Sequence, residues 1–325
     1  MRVGHETNGD GRTDGRQVTT IEVREAGVFG LYACPPGSGP FPGVVAFGGS
    51  GGGMGPTTGW APALASRGFA VLAIAYFGAP GLPEALINIE VEVVERAVGW
   101  LRDAGVADGD AVGVIGMSRG SELALLASVL LDGVGPVVAF SPSGISWSGI
   151  GAGGPVESPA WTFRGDGIPF ARTTAAPPAF HRPPAPDAPP LALRPIFETA
   201  LADPTLWRDA EIAVECARGP ILLVSGEDDA MWPATTMANM IERRATGRGF
   251  QHRVVHLHYA GAGHTGAGVP CLPAETEVRH PLTGGYYALG GTNPGNAAAR
   301  KDSWPQVVSF LANSLTAEKR IAIVE

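Results

Sequence analysis

Strands alternate with helices along most of this 325-residue chain, which predicts an α/β domain with a mostly parallel, doubly wound sheet. The predicted strands are apolar on both faces, as expected for a parallel sheet that helices cover on both sides. A second observation is the pentapeptide 116–120, which stands between an apolar run and a helical stretch. Strand, tight turn and helix in this order predict a nucleophile elbow with Ser118 at its turn. Together the two observations predict an α/β-hydrolase fold.

Each element follows from a local pattern. Alternating side chains predict paired strands at 19–23 and 28–33. Residues 87–101 begin by alternating like a strand, but their apolar side chains also share one helical face. Because the stretch is too long for one strand, we predict a helix there. The other predicted strands are 43–47, 69–76, 111–115, 136–140, 220–225 and 253–259, and the other predicted helices are 60–67, 121–127, 235–245 and 303–315.

Two segments do not follow the alternation. Residues 1–17 are polar, and we expect a flexible tail before a single catalytic domain at 18–325. Between about 142 and 218 the pattern stops, and the many prolines between 174 and 195 exclude a regular helix or a central strand. Long insertions in compact domains tend to be lids or binding loops. We therefore expect an irregular, Pro-rich cap over the active site, with a plain surface excursion as the alternative.

Composition argues against several classes of partner. The net charge is −8, the pI is about 5.4 and no basic cluster occurs, so we expect neither nucleic acid nor an anionic membrane as a partner. The N-terminus lacks the apolar segment of a signal peptide, and no apolar run is long enough to span a membrane. Three widely spaced cysteines predict neither a metal site nor a disulfide framework, which favours a reducing cytoplasm.

A serine hydroxyl becomes a good nucleophile only when a base removes its proton and a carboxylate orients that base. In this fold the acid and the histidine follow the serine in that order, each in a loop after a strand. Asp229 follows one predicted strand, and His264 follows the next in a glycine-rich turn. We therefore predict Ser118, Asp229 and His264 as a catalytic triad. The adjacent Asp228 is the rival acid.

Acyl transfer also needs backbone N–H donors for the developing oxyanion. We predict one donor at Arg119, which directly follows the nucleophile at a helix N-terminus. The glycine-rich loop 48–53 supplies the other, with Gly49 favoured and Ser50 next. This loop lacks the Lys and Ser/Thr of a phosphate-binding P-loop, which argues against a nucleotide. The substrate pocket is expected to include Met117, Trp161, Phe163, Phe170 and Trp232.

Several motifs in the predicted domain are shared with one known family. They lie at 65–76, 113–120, 226–229, 261–264 and 290–304. Together they resemble the C-terminal catalytic domain of the acyl-CoA thioesterase and bile acid-CoA:amino acid N-acyltransferase family, over about residues 43–315. The resemblance implies an α/β-hydrolase fold, an acyl thioester substrate and the triad named above.

Two features depart from the family's pattern. Members that act on acyl-CoA carry an N-terminal β-sandwich, but only about forty residues precede the first predicted core strand, so we expect that domain to be absent. The family's amino-acid acyltransferases favour a cysteine nucleophile, whose thioester passes readily to an amine, whereas a serine ester is more usually resolved by water. Ser118 therefore favours hydrolysis. Positive charge for CoA phosphates is sparse, with Arg164, Arg172 and Arg182 as candidates.

The expected function is a serine hydrolase that cleaves an acyl thioester, carried by CoA or by a carrier protein, through an acyl-enzyme on Ser118. Three alternatives stay open. The first is an acyltransferase or cyclase that passes the acyl group to an amine or alcohol. The others are a carboxylesterase acting on oxygen esters and a non-catalytic member of the fold that binds an acyl ligand. We expect a small-molecule partner, no cofactor, no metal and a monomer or homodimer.

Overall fold

The structure is a computed structural model that describes residues 17–105, 107–172 and 188–321. The strands are β1 (Thr19–Glu25), β2 (Val28–Cys34), β3 (Phe41–Phe47), β4 (Ala70–Ala75), β5 (Ile89–Glu90), β6 (Ala107–Met117), β7 (Val134–Phe140), β8 (Ser148–Gly151), β9 (Gly154–Pro159), β10 (Trp161–Phe163), β11 (Asp166–Gly167), β12 (Ile221–Gly226), β13 (Val254–Tyr259), β14 (Glu277–Arg279) and β15 (Tyr286–Ala288). The helices are α1 (Thr57–Ala65), α2 (Glu92–Asp103), α3 (Arg119–Leu130), α4 (Arg194–Leu201), α5 (Ala234–Gly247) and α6 (Asn293–Ile321).

An eight-stranded sheet forms the centre of the molecule, in the order β1-β2-β4-β3-β6-β7-β12-β13. Strand β2 is antiparallel to both of its neighbours, and every later pair is parallel. The order turns back at β3, because β4 lies on one side of it and β6 on the other. In such sheets the site lies beyond the carboxyl ends of the strands, at the point where the order reverses.

Two apolar layers cover this sheet, which is why its strands are apolar on both faces. Successive side chains of a strand point to opposite faces. In β4, Leu72 and Ile74 belong to a core shared with α2 and α3, whereas Val71 and Ala73 belong to a second core shared with α1 and α6. All four side chains are buried. The continuous apolar strands of the sequence thus correspond to a sheet between two helical layers.

All eight predicted strands of the central sheet are present. The prediction of a helix from residue 87 was wrong at its start, since β5 pairs in parallel with β10 and α2 begins only at Glu92. Asn88 has a φ of 53°, a left-handed conformation that a helix does not accommodate. Helix α6 begins ten residues before the predicted helix at 303–315.

Between β7 and β12 the described residues are more regular than the sequence predicted. Strands β8 and β9 pair with each other, β10 pairs with both β5 and β11, and α4 begins beside Pro195. A third apolar cluster joins this insertion to the start of α5, through residues such as Trp147, Ala200 and Met237. The predicted tail, apart from Gln17, and most of the proline-rich stretch lie outside the described residues. No helix within the described ranges is both long and apolar enough to cross a membrane.

Candidate active site

Ser118 occupies a strained turn between β6 and α3. Its φ is 57° and its ψ is −123°, a combination that is unfavourable for a residue with a side chain. A Cβ at Gly116 would clash with the carbonyl oxygen of Gly120, and one at Gly120 would clash with the carbonyl oxygen of Gly48. Only glycine fits at both positions, so the tight turn predicted from the pentapeptide is present.

A buried carboxylate–imidazole pair lies in the loops after β12 and β13. Nδ1 of His264 is 2.8 Å from Oδ2 of Asp229, and both side chains are almost fully buried. The other oxygen of Asp229 accepts hydrogen bonds from the backbone N–H groups of Met231 at 2.8 Å and Trp232 at 3.2 Å. With Nδ1 facing Asp229, Nε2 is the ring nitrogen that remains available to a substrate or a nucleophile.

The backbone holds this imidazole in place. The N–H of His264 donates to the carbonyl of Leu289 at 2.8 Å, and its own carbonyl accepts from the Ser141 hydroxyl at 2.6 Å. The ring lies edge-on to Trp232, with 5.7 Å between the ring centroids. These contacts fix the orientation that a general base needs before substrate arrives.

The structure separates the two candidate acids. Asp228 is exposed, whereas Asp229 is buried against His264. The backbone of Asp228 nonetheless helps to shape the site, because its N–H donates to the carbonyl of Ala262 at 2.9 Å and its carbonyl accepts from the N–H of Gly291 at 3.1 Å.

The sequence did not predict the part that Arg194 has in this loop. Its Nη1 donates to the carbonyls of Glu227 at 2.8 Å and Asp229 at 3.2 Å.

The glycine-rich loop after β3 lies directly against Ser118. A Cβ on Gly49 would be 2.9 Å from Cβ of Ser118 and 3.2 Å from the carbonyl oxygen of Met117. The Tyr76 hydroxyl donates to the carbonyls of Gly48 at 2.9 Å and Gly49 at 3.0 Å. Burial raises the pKa of Tyr76 well above its usual value, so the phenol stays a donor. The predicted oxyanion loop is thus fixed beside Ser118 by a tyrosine that the sequence did not reveal.

The Arg119 side chain forms a buried ion pair with Glu122 in the first turn of α3. Its Nε is 3.0 Å from Oε1 of Glu122, and its Nη2 donates to the carbonyl of Trp147 at 2.7 Å. Oε2 of Glu122 accepts from Nε1 of Trp161 at 2.8 Å. Burial raises the pKa of Glu122 to about 7, and the neighbouring guanidinium opposes this rise. The pair joins α3 to the insertion, a role that the sequence did not predict.

A mainly apolar cavity extends from Ser118 and His264. It holds about 650 Å³ of empty space, a volume that includes open solvent at its mouth. Its apolar lining comes mostly from the insertion and from the loop after Asp229. Its lining includes Trp147, Ile150, Leu193, Phe197, Met231 and Trp232, together with the polar or aromatic Ser50, Arg119, His280, Thr283 and Tyr287.

Of the predicted pocket residues, only Trp232 lines this cavity. Trp161 is instead fully buried on Glu122, and Met117 packs in the core shared with α1 and α6. Phe163 lies beneath the guanidinium of Arg164, and Phe170 lies near that of Arg172. Those predictions rested on apolar character alone, which does not show where a side chain points.

Two of the arginines considered for CoA phosphates, Arg164 and Arg172, do not line the cavity. Arg172 pairs with exposed Glu157 at 2.8 Å, and Arg182 lies outside the described residues. Within the described ranges, no group of three or more His, Cys, Asp or Glu side chains is arranged to hold a metal ion.

The fold is that of the α/β-hydrolases. A dienelactone hydrolase-like promiscuous phosphotriesterase from metagenomic libraries superposes with a TM-score of 0.51 and 17% identity. The match covers 92% of this chain and 99% of that chain. The fold class predicted from the strand–helix alternation and the elbow is therefore confirmed.

Sequence comparisons give one domain match and several related proteins. Residues 191–317 match the model described as BAAT / Acyl-CoA thioester hydrolase C terminal. The chain is 29% identical to the mitochondrial acyl-coenzyme A thioesterase 2 of Mus musculus, over 92% of this chain and 61% of that protein. It is 31% identical to the bile acid-CoA:amino acid N-acyltransferase of the same species, over 92% of this chain and 66% of that protein. Residues 191–317 thus carry a domain of the BAAT / acyl-CoA thioester hydrolase C-terminal type, and the chain as a whole is similar to acyl-CoA thioesterases and to an N-acyltransferase. It spans about three fifths to two thirds of the length of these relatives.

Proposed function

We propose that this chain is a serine hydrolase that cleaves acyl thioesters through an acyl-enzyme on Ser118. The observation that carries the proposal is the buried Asp229–His264 pair, which shares an apolar cavity with a serine on a strained elbow. Relatives named as acyl-coenzyme A thioesterases support the reaction class.

In the proposed mechanism, Nε2 of His264 takes the proton from the Ser118 hydroxyl as Oγ attacks the acyl carbonyl carbon. The carbonyl oxygen becomes an oxyanion, which the backbone N–H groups of Gly49 and Arg119 receive. When the carbon–sulfur bond breaks, the thiol leaves with the proton from His264. Water then enters, His264 removes its proton, and the resulting attack releases the acid and returns the proton to Ser118.

Asp229 orients the base throughout this cycle. It accepts from Nδ1 of His264, which places the reactive lone pair on Nε2, and its negative charge stabilises the imidazolium that forms. The hydrogen bonds from Met231 and Trp232 hold the carboxylate itself in place. A serine alcohol, a base and its orienting acid thus have separate and complementary roles.

The acyl group that we propose is apolar, because aromatic and aliphatic side chains dominate the cavity lining. Its carrier is CoA or a carrier protein. A carboxylesterase would use the same residues on an oxygen ester. A second candidate is transfer of the acyl group to an amine or alcohol, which the N-acyltransferase relative favours.

We also propose that the insertion at 142–218 is the cap of one catalytic domain at 18–325. Trp147, Ile150 and Phe197 support this assignment, because they come from the insertion and line the cavity.

The three free cysteines, Cys34, Cys216 and Cys271, favour a reducing location such as the cytoplasm. A monomer or homodimer remains the proposed assembly.

A hydrolysis screen tests the proposal. Acyl-CoA, N-acetylcysteamine thioesters and oxygen esters of the same acyl groups are compared, with Ser118→Ala as the blank. We expect turnover of thioesters that the blank lacks. A strong preference for oxygen esters would overturn the thioesterase assignment, and product that forms only when an amine is added would favour the transferase.

A further inference from the structure

A second histidine lies in the same cavity, paired with a serine rather than with a carboxylate. Nε2 of His280 is 2.9 Å from Oγ of Ser50. Ser50 follows Gly49 in the glycine-rich loop, and His280 lies in the turn between β14 and β15. Both side chains line the cavity with Ser118 and His264. The triad mechanism gives neither side chain a role.

The hydrogen bonds of His280 define its tautomer. The backbone N–H of Thr283 donates to Nδ1 at 3.3 Å, so Nδ1 carries the lone pair. In a neutral imidazole the proton is then on Nε2, and this N–H donates to Oγ of Ser50. Burial lowers the pKa of His280 to about 4, which keeps the ring neutral near pH 7.

This arrangement determines where the Ser50 proton can point. A serine hydroxyl has one proton and two lone pairs. Since one lone pair accepts from His280, the hydroxyl proton must be directed to another acceptor. Ser50 is the residue after Gly49, whose backbone lies against Ser118, and its side chain lines the cavity. The hydroxyl is therefore a donor at the edge of the site where the oxyanion would form.

Backbone hydrogen bonds and a ring contact hold the turn that carries His280. The N–H of His280 donates to the carbonyl of Gly285 at 2.8 Å, and its carbonyl accepts from Gly284 at 2.8 Å. The ring lies edge-on to Tyr287 at 5.9 Å between centroids. Donors held in position before the reaction stabilise an oxyanion best, because they need no reorganisation as charge develops.

We propose that the Ser50 hydroxyl is a third hydrogen-bond donor to the oxyanion, and that His280 is the positioning residue that orients it. This inference rests on the proposed acyl-transfer function, and it assigns the two cavity histidines opposite roles. His264 exchanges protons with the reacting groups, whereas His280 keeps its proton on Nε2 and donates it in a hydrogen bond.

Four variants test the inference: Ser50→Ala, His280→Phe, their combination and His280→Gln. Removing one oxyanion donor costs about 10²-fold in kcat. We expect a loss of about that size for Ser50→Ala, with KM changed less than about twofold. His280→Phe should lose a similar factor, and the double variant should lose no more than Ser50→Ala alone, because the pair acts as a unit. His280→Gln offers a side-chain N–H to Ser50 and should recover most of the kcat that His280→Phe loses.

The readouts are thioester hydrolysis and the rate of Ser118 phosphonylation by a fluorophosphonate, whose phosphoryl oxygen also gains negative charge. Thermal melts check folding, and Ser50→Ala with His280→Gln suffice if His280→Phe does not fold. If the unmodified protein neither hydrolyses nor labels, the proposed function itself fails. If it is active, three results would each overturn the inference: an unchanged kcat for Ser50→Ala, a loss confined to KM, or additive losses in the double variant.

Discussion

The two cavity histidines differ in what faces Nδ1. In His264 this nitrogen is 2.8 Å from the buried carboxylate of Asp229, which favours a proton on Nδ1 and leaves the lone pair on Nε2. In His280 it accepts from the backbone N–H of Thr283, which favours a neutral ring with its proton on Nε2. Both rings are buried and both line one cavity.

The comparison shows that location does not make a histidine a base. A base needs a free lone pair towards the substrate and a partner that accepts the opposite N–H. His264 has this arrangement, and His280 has the reverse. The Asp229–His264 side of the cavity is therefore suited to proton transfer, and the Ser50–His280 side to hydrogen bonding.

The largest expected difference between the two sides is in turnover. His264→Ala should lower kcat by about 10⁴- to 10⁶-fold, because the nucleophile loses its base. His280→Phe should lower it by only about 10²-fold, because one donor is lost. Steady-state kinetics on a thioester that the unmodified protein hydrolyses measures both. Equal losses of kcat in the two variants would contradict the different roles given to His264 and His280.

The next largest effect concerns the acid. Asp229→Asn should lower kcat by about 10⁴-fold, since an amide cannot hold the tautomer that the base needs. Asp228→Asn is the matched control, because its carboxyl is exposed and only its backbone contacts the site. We expect that control to retain kcat within about twofold. A large loss in Asp228→Asn with little change in Asp229→Asn would reverse the assignment.

A smaller effect is expected from the tyrosine that fixes the glycine-rich loop. Tyr76→Phe removes the hydroxyl that donates to Gly48 and Gly49, and we expect kcat to fall by about 10- to 100-fold as the oxyanion donors lose their fixed positions. Tyr259→Phe is the control, because its hydroxyl donates to Asp302 outside the cavity. Full kcat in Tyr76→Phe would show that the position of the glycine-rich loop does not depend on the Tyr76 hydroxyl.

The smallest effect is on stability. The pKa of His280 is about 4 when folded and 6.5 as its ordinary value, so the unfolded chain binds more protons between these values. The contribution of His280 to the free energy of unfolding is therefore constant above pH 6.5. It decreases as the pH falls from 6.5 towards 4. Between pH 7.5 and 5.5 the free energy of unfolding should fall by about 1.3 kcal/mol, since one pKa unit corresponds to about 1.4 kcal/mol. When the free energy of unfolding is measured in urea as a function of pH, His280→Gln should lack this decrease. The same pH dependence in His280→Gln and the unmodified protein would contradict the assignment to His280.

The sequence predicted those parts of the molecule that have a local signature. Strand–helix alternation predicted the central sheet, and the short run around Ser118 predicted the elbow, because only glycine fits two residues to either side of the serine. The order of loops after β12 and β13 predicted that Asp229 and His264 would meet. Each of these features depends on residues close in sequence or on strand order alone.

The cavity could not be predicted in the same way. Trp161 and Trp147 are both apolar residues of the insertion, yet only Trp147 lines the cavity, since the Trp161 ring is anchored on buried Glu122. His280 lies between β14 and β15, in a segment without periodicity, and contacts Ser50 across 230 positions of sequence. Such contacts depend on tertiary packing, which no local pattern reveals.

Ser118 is the proposed nucleophile, activated by the Asp229–His264 pair. Intact-protein mass spectrometry after treatment with a fluorophosphonate tests it most directly, with the adduct located by peptide mapping. We expect one adduct on Ser118, none in Ser118→Ala and strongly slowed labelling in His264→Ala. An unlabelled protein, or equal labelling of Ser118→Ala, would contradict it.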